Sequence, residues 1–219
     1  RLVTAEAEYA SGKSMRMGEG EKGGLYQVIS SEIDDKYIAA LKSLVIHPEI
    51  IKEEAENLTI VYTPLHGTGN IPVRRILKEL GFTKVHVVKE QELPDGNFPT
   101  VSYPNPEDKN AFKLALELAE KVDADIVLAT DPDADRLGVY AKDTKTGKYM
   151  SFTGNMSGMI ILDYILSQRK AMGTLPENGA VVTTIVSGKM SRELAKEYNM
   201  DLIETLTGFK YIGEQIKFF

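Results

Sequence analysis

The sequence contains no cysteine and no tryptophan among its 219 residues, and only three histidines. Without cysteine the chain can form no disulfide and no thiolate metal site, which is usual for a cytoplasmic protein. Basic residues are also in deficit, with 26 lysines and arginines against 32 acidic residues and a net charge of −6. Because nucleic acids and anionic membrane surfaces are bound by basic faces, we expect neither as a partner.

Long hydrophobic runs are scarce as well. The longest, residues 159–162, ends at Asp163 and is far shorter than a membrane span. The first residues show no signal-peptide pattern. A hydrophobic share of 42% is nevertheless enough for real cores, and 219 residues suffice for one large or two small domains. The composition predicts a soluble, cytoplasmic protein with no membrane partner.

Apolar spacing and turn residues divide the chain into a connector and two α/β units. Residues 1–31 are polar and glycine-rich, which predicts a connector. Residues 32–151 alternate helices with apolar strands, a pattern typical of a parallel sheet covered by helices. Residues 152–219 begin a second unit of the same kind, which ends one helix after its second strand. We therefore predict the α/β class, with two consecutive three-layer α/β/α units, mainly parallel sheets, and the second unit incomplete.

The individual elements follow from periodicity and capping signals. Strands are predicted at 58–62, 84–88, 125–129, 137–140, 180–185 and 202–204, with a hairpin turn at 142–148 around Gly147. Asp34 is a predicted N-cap for the first helix, and Asn155 is a predicted N-cap for a helix that runs to about residue 170. Further helices are predicted at 71–80, 106–122, 187–198 and after residue 210.

Asp131, Asp133 and Asp135 follow the third of these strands in the run Ala-Thr-Asp-Pro-Asp-Ala-Asp-Arg. Carboxylates this close repel one another, by about 4 kcal/mol per pair at ~4 Å and an effective dielectric of ~20. A divalent cation relieves that repulsion, and Mg²⁺ leaves positions for water and phosphate. A calcium hand would need glycine and glutamate where the chain has Arg136 and Lys142, so it is excluded. A solvated acidic turn, and a phosphatase with Asp131 as nucleophile, remain alternatives.

A second loop, Gly67-Thr68-Gly69, lies between a predicted strand and a predicted helix. Backbone N–H groups at a helix start favour anions. The loop also resembles a dinucleotide fingerprint, with Glu90 at the end of the next strand, but Pro72 stands where a third small residue is needed. Simple tight-turn geometry is the other alternative. The adjacent His66 is predicted to be a hydrogen-bonded structural residue.

A third loop, Thr207-Gly208-Phe209-Lys210, also lies between a strand and a helix, at the sheet edge where α/β proteins bind ligands. Lys210 can hold a phosphate or sugar oxygen as a compact cation, and Phe209 offers a flat apolar wall. Ser187-Gly188-Lys189 is a similar helix-start loop with weaker support. In isolation, the first of these loops would be an ordinary helix-start loop with a surface lysine, and the second could be one.

The three loops at 63–69, 129–136 and 205–210 resemble, in this order, those of the α-D-phosphohexomutase family, the phosphoglucomutases and phosphomannomutases. The resemblance implies a four-domain enzyme that moves a phosphoryl group between O1 and O6 of a hexose phosphate through a hexose 1,6-bisphosphate. It implies Mg²⁺ on Asp131, Asp133 and Asp135, with Arg136 as a catalytic residue that steadies phosphoryl oxygens. Sugar phosphate contacts would come from Thr207, Gly208, Phe209 and Lys210.

By this resemblance, residues 32–151 are the metal-binding second domain and 152–219 about two-thirds of the sugar-phosphate-binding third domain. The first and fourth domains are missing: no Thr-Ala-Ser-His-Asn-type serine loop is found, since Ser11 and Ser14 lie in Ala-Ser-Gly-Lys-Ser. We expect a fragment, inactive alone, of an intramolecular phosphotransferase. The 205–210 sequence resembles the phosphoglucomutase branch, which favours glucose. A Mg²⁺-dependent phosphatase, a nucleotide-binding dehydrogenase and a non-catalytic metal-binding module are the rival classes.

Overall fold

The computed structural model describes residues 31–218, so the predicted connector at 1–31 lies almost entirely outside the described residues. Two compact units divide the chain, the first ending at Leu44 and the second beginning at Val45. The described part of the first unit is one helix, α1 (Ser31–Ser43). The predicted N-cap at Asp34 is wrong, because Asp34 lies inside the first turn of this helix. A carboxylate there interacts favourably with the positive end of the helix dipole.

The unit that begins at Val45 contains two sheets and the helices that connect their strands. Its elements, in chain order, are α2 (Pro48–Glu54), β1 (Thr59–Thr63), α3 (Asn70–Glu79), β2 (Lys84–Val87), α4 (Lys113–Val122), β3 (Ile126–Thr130), β4 (Leu137–Lys142), β5 (Tyr149–Phe152), α5 (Gly154–Ala171), β6 (Ala180–Thr184), α6 (Met190–Glu197), β7 (Asp201–Thr205) and α7 (Phe209–Ile216). Short 3₁₀ helices lie at Lys89–Gln91 and Lys109–Phe112. Among residues 31–218, no helix combines the length and the apolar composition that a membrane span requires.

The larger sheet has five strands in the order β2-β1-β3-β4-β5. Strand β1 is parallel to β2 and to β3, whereas β4 and β5 are antiparallel to their neighbours. The chain turns back directly from β3 into β4 through residues 131–136, a connection too short for the crossover that a parallel strand requires. The α/β prediction is therefore confirmed, with β1, β2 and β3 parallel and the two strands that follow antiparallel.

The core of this sheet lies between its central strands and α4. Val61 and Val127, on adjacent strands, are completely buried together with Ala115 of α4 and Phe112 just before it. The Phe112 ring also contacts Tyr140, with 4.6 Å between ring centroids. Helix α4 begins seven residues later than predicted. Residues 106–108 form a turn and a bend, and residues 109–112 form the second 3₁₀ helix.

The second sheet, among the described residues, consists of β6 and β7, which pair in parallel. Val181 of β6 packs with Leu166 of α5 and Ala195 of α6 in a small core. The predicted N-cap at Asn155 is wrong. Thr153 caps α5 by accepting a hydrogen bond from the backbone N–H of Met156.

Candidate metal and phosphate site

Residues 131–136, which we call the Asp loop, lie at the carboxyl end of β3. A carboxylate oxygen from each of Asp131, Asp133 and Asp135 can be chosen so that all three atoms lie within 4.8 Å of one another. Asp131 is buried, with 6% exposure, whereas Asp133 and Asp135 are exposed. The structure therefore brings the three predicted metal ligands together, with one fixed in the protein and two facing solvent.

The loop holds Asp131 through its own backbone. The N–H of Arg136 donates to Oδ1 of Asp131 at 3.1 Å, and the N–H of Ala134 donates to the Asp131 carbonyl at 3.0 Å. Ala134 has a φ of 59°, in the left-handed region that few non-glycine residues adopt. This turn brings the third aspartate back beside the first.

The Arg136 side chain lies beside two of the carboxylates. Its Nε atom is 3.7 Å from Oδ2 of Asp131 and 3.7 Å from Oδ1 of Asp135. The side chain is 52% exposed, so its remaining guanidinium donors are open to solvent and to a ligand.

The residues fit a hard divalent cation. The three donors are all carboxylate oxygens, the ligand type that Mg²⁺ prefers, and Mg²⁺–O distances of about 2.1 Å place neighbouring ligands about 3 Å apart. Bringing oxygens from within 4.8 Å to that spacing requires only small rotations of Asp133 and Asp135, whose exposed side chains are free to make them. Three protein ligands leave further octahedral positions for phosphate or water.

Residues 67–69, the glycine loop, pack against the Asp loop. The Thr68 N–H and Oγ1 both donate to the Pro132 carbonyl, at 2.8 and 3.1 Å. A methyl group added to Gly69 would lie 2.7 Å from Oγ1 of Thr130 and 2.8 Å from the hydroxyl of Tyr62. The glycines of this loop thus permit close approach of two protein loops.

A buried hydrogen bond joins β1 and β3, the two strands that precede the glycine loop and the Asp loop. The Tyr62 hydroxyl and Thr130 Oγ1 lie 2.8 Å apart. Burial raises the pKa of Tyr62, and the hydrogen bond to Thr130 partly offsets this rise. Tyr62 therefore remains a neutral hydrogen-bonding group beneath the Asp loop.

His66 is held by hydrogen bonds on both ring nitrogens. Nδ1 lies 3.1 Å from the Leu93 carbonyl and Nε2 lies 2.9 Å from Oγ1 of Thr100. The residue is 5% exposed. These contacts connect the start of the glycine loop to the irregular segment after β2, in agreement with the predicted structural role.

The other predicted ligand-binding loop, residues 207–210, follows the carboxyl end of β7 in the smaller sheet. Gly208 has a φ of 131°, a backbone conformation that suits glycine. Phe209 is 78% exposed, and Nζ of Lys210 lies 4.9 Å from the centroid of the Tyr211 ring. The structure thus groups the four predicted residues of the Asp loop, and places Thr207, Gly208, Phe209 and Lys210 at the edge of a different sheet.

A cavity of about 460 Å³ adjoins the Asp loop and was not anticipated from the sequence. Arg136 contributes to its wall, as do Lys109 and Asn155. Asn155 also accepts a hydrogen bond from the N–H of Gly188 at 3.2 Å, which connects the start of α5 to the loop before α6. The cavity is large enough for a small polar ligand and carries basic groups on its wall.

Two family models match the chain. Residues 35–147 match "Phosphoglucomutase/phosphomannomutase, alpha/beta/alpha domain II", and residues 153–218 match domain III of the same family. The first match contains the glycine loop and the Asp loop, and the second contains residues 207–210.

Curated relatives carry names from both branches. A Haemophilus influenzae protein named "Probable phosphomannomutase" is 39% identical over 189 residues, which are 86% of this chain and 36% of that protein. A Staphylococcus epidermidis phosphoglucomutase is 36% identical over 198 residues, 90% of this chain and 34% of the relative. The chain therefore spans about a third of the length of these relatives.

Solved structures support the fold. A phosphoglucomutase/phosphomannomutase family protein from Burkholderia thailandensis matches with a TM-score of 0.57 at 20% identity, over 77% of this chain and 35% of that one. The Paramecium phosphoglucomutase parafusin matches with a TM-score of 0.59 at 18% identity, over 84% of this chain and 31% of that one.

Proposed function

Since the chain belongs to the α-D-phosphohexomutase family of phosphoglucomutases and phosphomannomutases, we propose that it supplies the metal-holding part of a phosphohexomutase. The reaction is transfer of a phosphoryl group between O1 and O6 of a hexose, through a bisphosphorylated sugar. The observation that carries the proposal is the cluster of three carboxylates at the carboxyl end of a parallel strand, with Arg136 beside two of them.

In this proposal Asp131, Asp133 and Asp135 hold Mg²⁺, which supplies positive charge against the phosphoryl oxygens when bound. Phosphoryl transfer depends mainly on positioning and on neutralising charge in the transition state. Asp131 suits a fixed anchoring role because it is buried and hydrogen-bonded to backbone. Asp133 and Asp135 are exposed and can adjust to the ion.

Arg136 is proposed to contact the transferring phosphoryl group. A guanidinium 3.7 Å from two carboxylates is only loosely paired, and half of its surface remains accessible. It can therefore turn donors toward phosphoryl oxygens without first breaking a short ion pair. Arginine suits this task because its planar fork presents two donors to two oxygens at once.

The sugar phosphate is proposed to contact Thr207, Gly208, Phe209 and Lys210. These residues follow a parallel strand, the usual position for ligands in α/β folds. Lys210 lies beside an aromatic ring on an exposed helix start, so its ammonium group remains available to an anionic ligand. The Thr-Leu-Thr-Gly-Phe-Lys sequence favours glucose phosphates over mannose phosphates as substrate.

The phosphoryl donor is proposed to be a phosphoserine supplied by residues outside this sequence, because no serine loop of the required type occurs in it. We further propose that residues 32–151 and 152–219 correspond to the second domain and part of the third domain of the complete enzyme. The 219-residue chain alone should then bind metal but turn over no sugar phosphate.

The test is a coupled assay of glucose 6-phosphate formation from glucose 1-phosphate, with Mg²⁺ and glucose 1,6-bisphosphate present. The 219-residue chain should give no product. A longer chain carrying these residues and the serine loop should be active, and Asp135→Ala in it should lower kcat by roughly 10²–10³. Sustained turnover by the 219 residues after repeated purification would contradict the proposal. Release of inorganic phosphate, lost in Asp131→Asn, would favour a phosphatase instead.

A further inference from the structure

The glycine loop contacts the Asp loop in an alternating pattern. Within residues 130–136, its close approaches and hydrogen bonds are to Thr130, Pro132 and Ala134, the residues that alternate with the three aspartates. The glycine loop therefore acts on the backbone between the carboxylates, and leaves the carboxylates themselves to meet one another.

The contact is strongest at Pro132, which lies between Asp131 and Asp133. Its carbonyl oxygen accepts two hydrogen bonds from one residue, Thr68, through N–H and Oγ1. Proline cannot donate a backbone hydrogen bond and has a fixed φ, so this carbonyl is the polar backbone group through which the segment can be anchored. Two donors on one oxygen restrain both its position and its direction.

Steric closeness restrains the same residue from a second side. A Cβ atom on Gly67 would contact the Pro132 backbone, at 2.6 Å from its oxygen and 2.8 Å from its carbonyl carbon. Ordinary van der Waals contact begins at 3.4 Å, so a side chain here would displace the Asp loop by roughly 0.8 Å or more. Metal ligands tolerate displacements of only about 0.5 Å from productive geometry.

We propose that Gly67 and Thr68 are positioning residues for the metal site, because they fix the Pro132 backbone so that Asp131 and Asp133 converge on one ion. The inference rests on the proposed metal-holding function of the Asp loop. It gives the glycine loop a role of its own, different from the anion cradle that its sequence suggests. Neither residue touches the ion; both act through the backbone between its ligands.

Mn²⁺ binding to the 219-residue chain, measured by EPR of the free ion, tests the proposal. Gly67→Ala should raise the dissociation constant for Mn²⁺ at least tenfold. Thr68→Val, which keeps the shape but loses the hydroxyl donor, should raise it about two- to tenfold, the usual effect of one hydrogen bond. Thr68→Ser should restore binding to within twofold of wild type. Gly96→Ala is the matched control, since nothing lies within 4 Å of a Cβ there.

A second measurement separates positioning from general stability. The luminescence lifetime of bound Tb³⁺ reports how many water molecules coordinate the ion. Gly67→Ala should shorten that lifetime, because water replaces a carboxylate that no longer reaches the ion. Thr68 is exposed, so the Thr68→Val protein should fold. It therefore tests the proposal even if Gly67→Ala fails to fold.

The outcomes are distinct. Wild-type affinity and lifetime in both Gly67→Ala and Thr68→Val would overturn the positioning role while leaving the metal site in place. Weakened Mn²⁺ binding in Thr68→Ser equal to that in Thr68→Val would also overturn it, because the hydroxyl would then be irrelevant. Absence of saturable Mn²⁺ binding in the wild type, or binding unaffected by Asp133→Asn, would remove the metal site and the inference with it.

Discussion

Asp133→Asn should make the metal-free protein more stable and the metal-loaded protein less stable. In the metal-free state, Asp133 lies within 4.8 Å of two other carboxylates. At a dielectric near 80 each such pair costs about 1 kcal/mol, and Arg136, which neighbours the other two aspartates, offsets part of it. Removing one charge should therefore raise the free energy of unfolding by about 1 kcal/mol. For a unit of this size, that corresponds to roughly 2–4 °C in Tm.

With metal the order should reverse. A ligand at 100 times its dissociation constant adds ~2.7 kcal/mol to the free energy of unfolding. The wild type should gain this increment at saturating Mg²⁺, and Asp133→Asn should lose most of it. Thermal unfolding at increasing Mg²⁺ should therefore give two Tm curves that cross.

Two controls make the crossing specific. Salt at 0.5 M should shrink the difference between the metal-free proteins, because exposed charges are screened. Asp201→Asn, an exposed carboxylate at the start of β7, should shift neither curve. A metal-free Asp133→Asn protein that is less stable than wild type, at low and high salt alike, would refute the repulsion argument. Parallel curves with the same Mg²⁺ response would refute the metal assignment.

Two further predictions concern residues outside the metal site, in the unit that begins at Val45. The pKa of His47 is raised, first by its hydrogen bond to Glu49 and then by that to Gln168. The protonated His47 therefore stabilises the fold below pH 6.5, and this stabilisation is lost as the pH rises through the folded-state pKa. In urea unfolding, His47→Gln should lower the free energy of unfolding more at pH 6 than at pH 9. Phe112→Ala should lower the free energy of unfolding by about 3–5 kcal/mol, since the ring is completely buried.

The corresponding controls lie on the surface. His86→Gln changes an exposed histidine in β2 and is the matched control for the histidine-to-glutamine replacement itself. Phe209→Ala removes a ring that is 78% exposed and should cost little stability. An effect of His47→Gln that does not change with pH would argue against stabilisation by protonated His47 beside Glu49. A decrease of less than 1 kcal/mol in the free energy of unfolding of Phe112→Ala would argue against a core built around this ring.

Local patterns predicted the elements of the fold well. The apolar runs at 58–62 and 125–129 predict β1 and β3, because strands buried on both faces are continuously hydrophobic. The hairpin around Gly147 followed from turn chemistry, and the structure confirms it with a hydrogen bond from the Asp143 N–H to the Lys148 carbonyl. These signals are local, so they can be read from neighbouring residues.

One error arose where two neighbouring residues offered the same local signal. Thr153 and Asn155 are both good N-cap residues, and periodicity alone cannot choose between them. The structure uses Thr153 as the cap, while Asn155 accepts a hydrogen bond from Gly188, 33 residues away. Such a contact between distant segments leaves no trace in the spacing of the residues around either partner.

The same distinction explains what sequence reasoning found and missed at the metal site. The i, i+2, i+4 spacing of the aspartates predicts a cluster, since it needs only a turn. The residues between them matter because they contact a loop more than 60 positions earlier in the chain. Pro132 meets Gly67 and Thr68 there, and Ala134 completes the turn with a positive φ. The aspartates provide negative charge for the ion, whereas Pro132 and Ala134, which lie between them, fix the backbone that carries the aspartates. A substitution at Pro132 or Ala134 should therefore weaken metal binding even though every metal ligand remains.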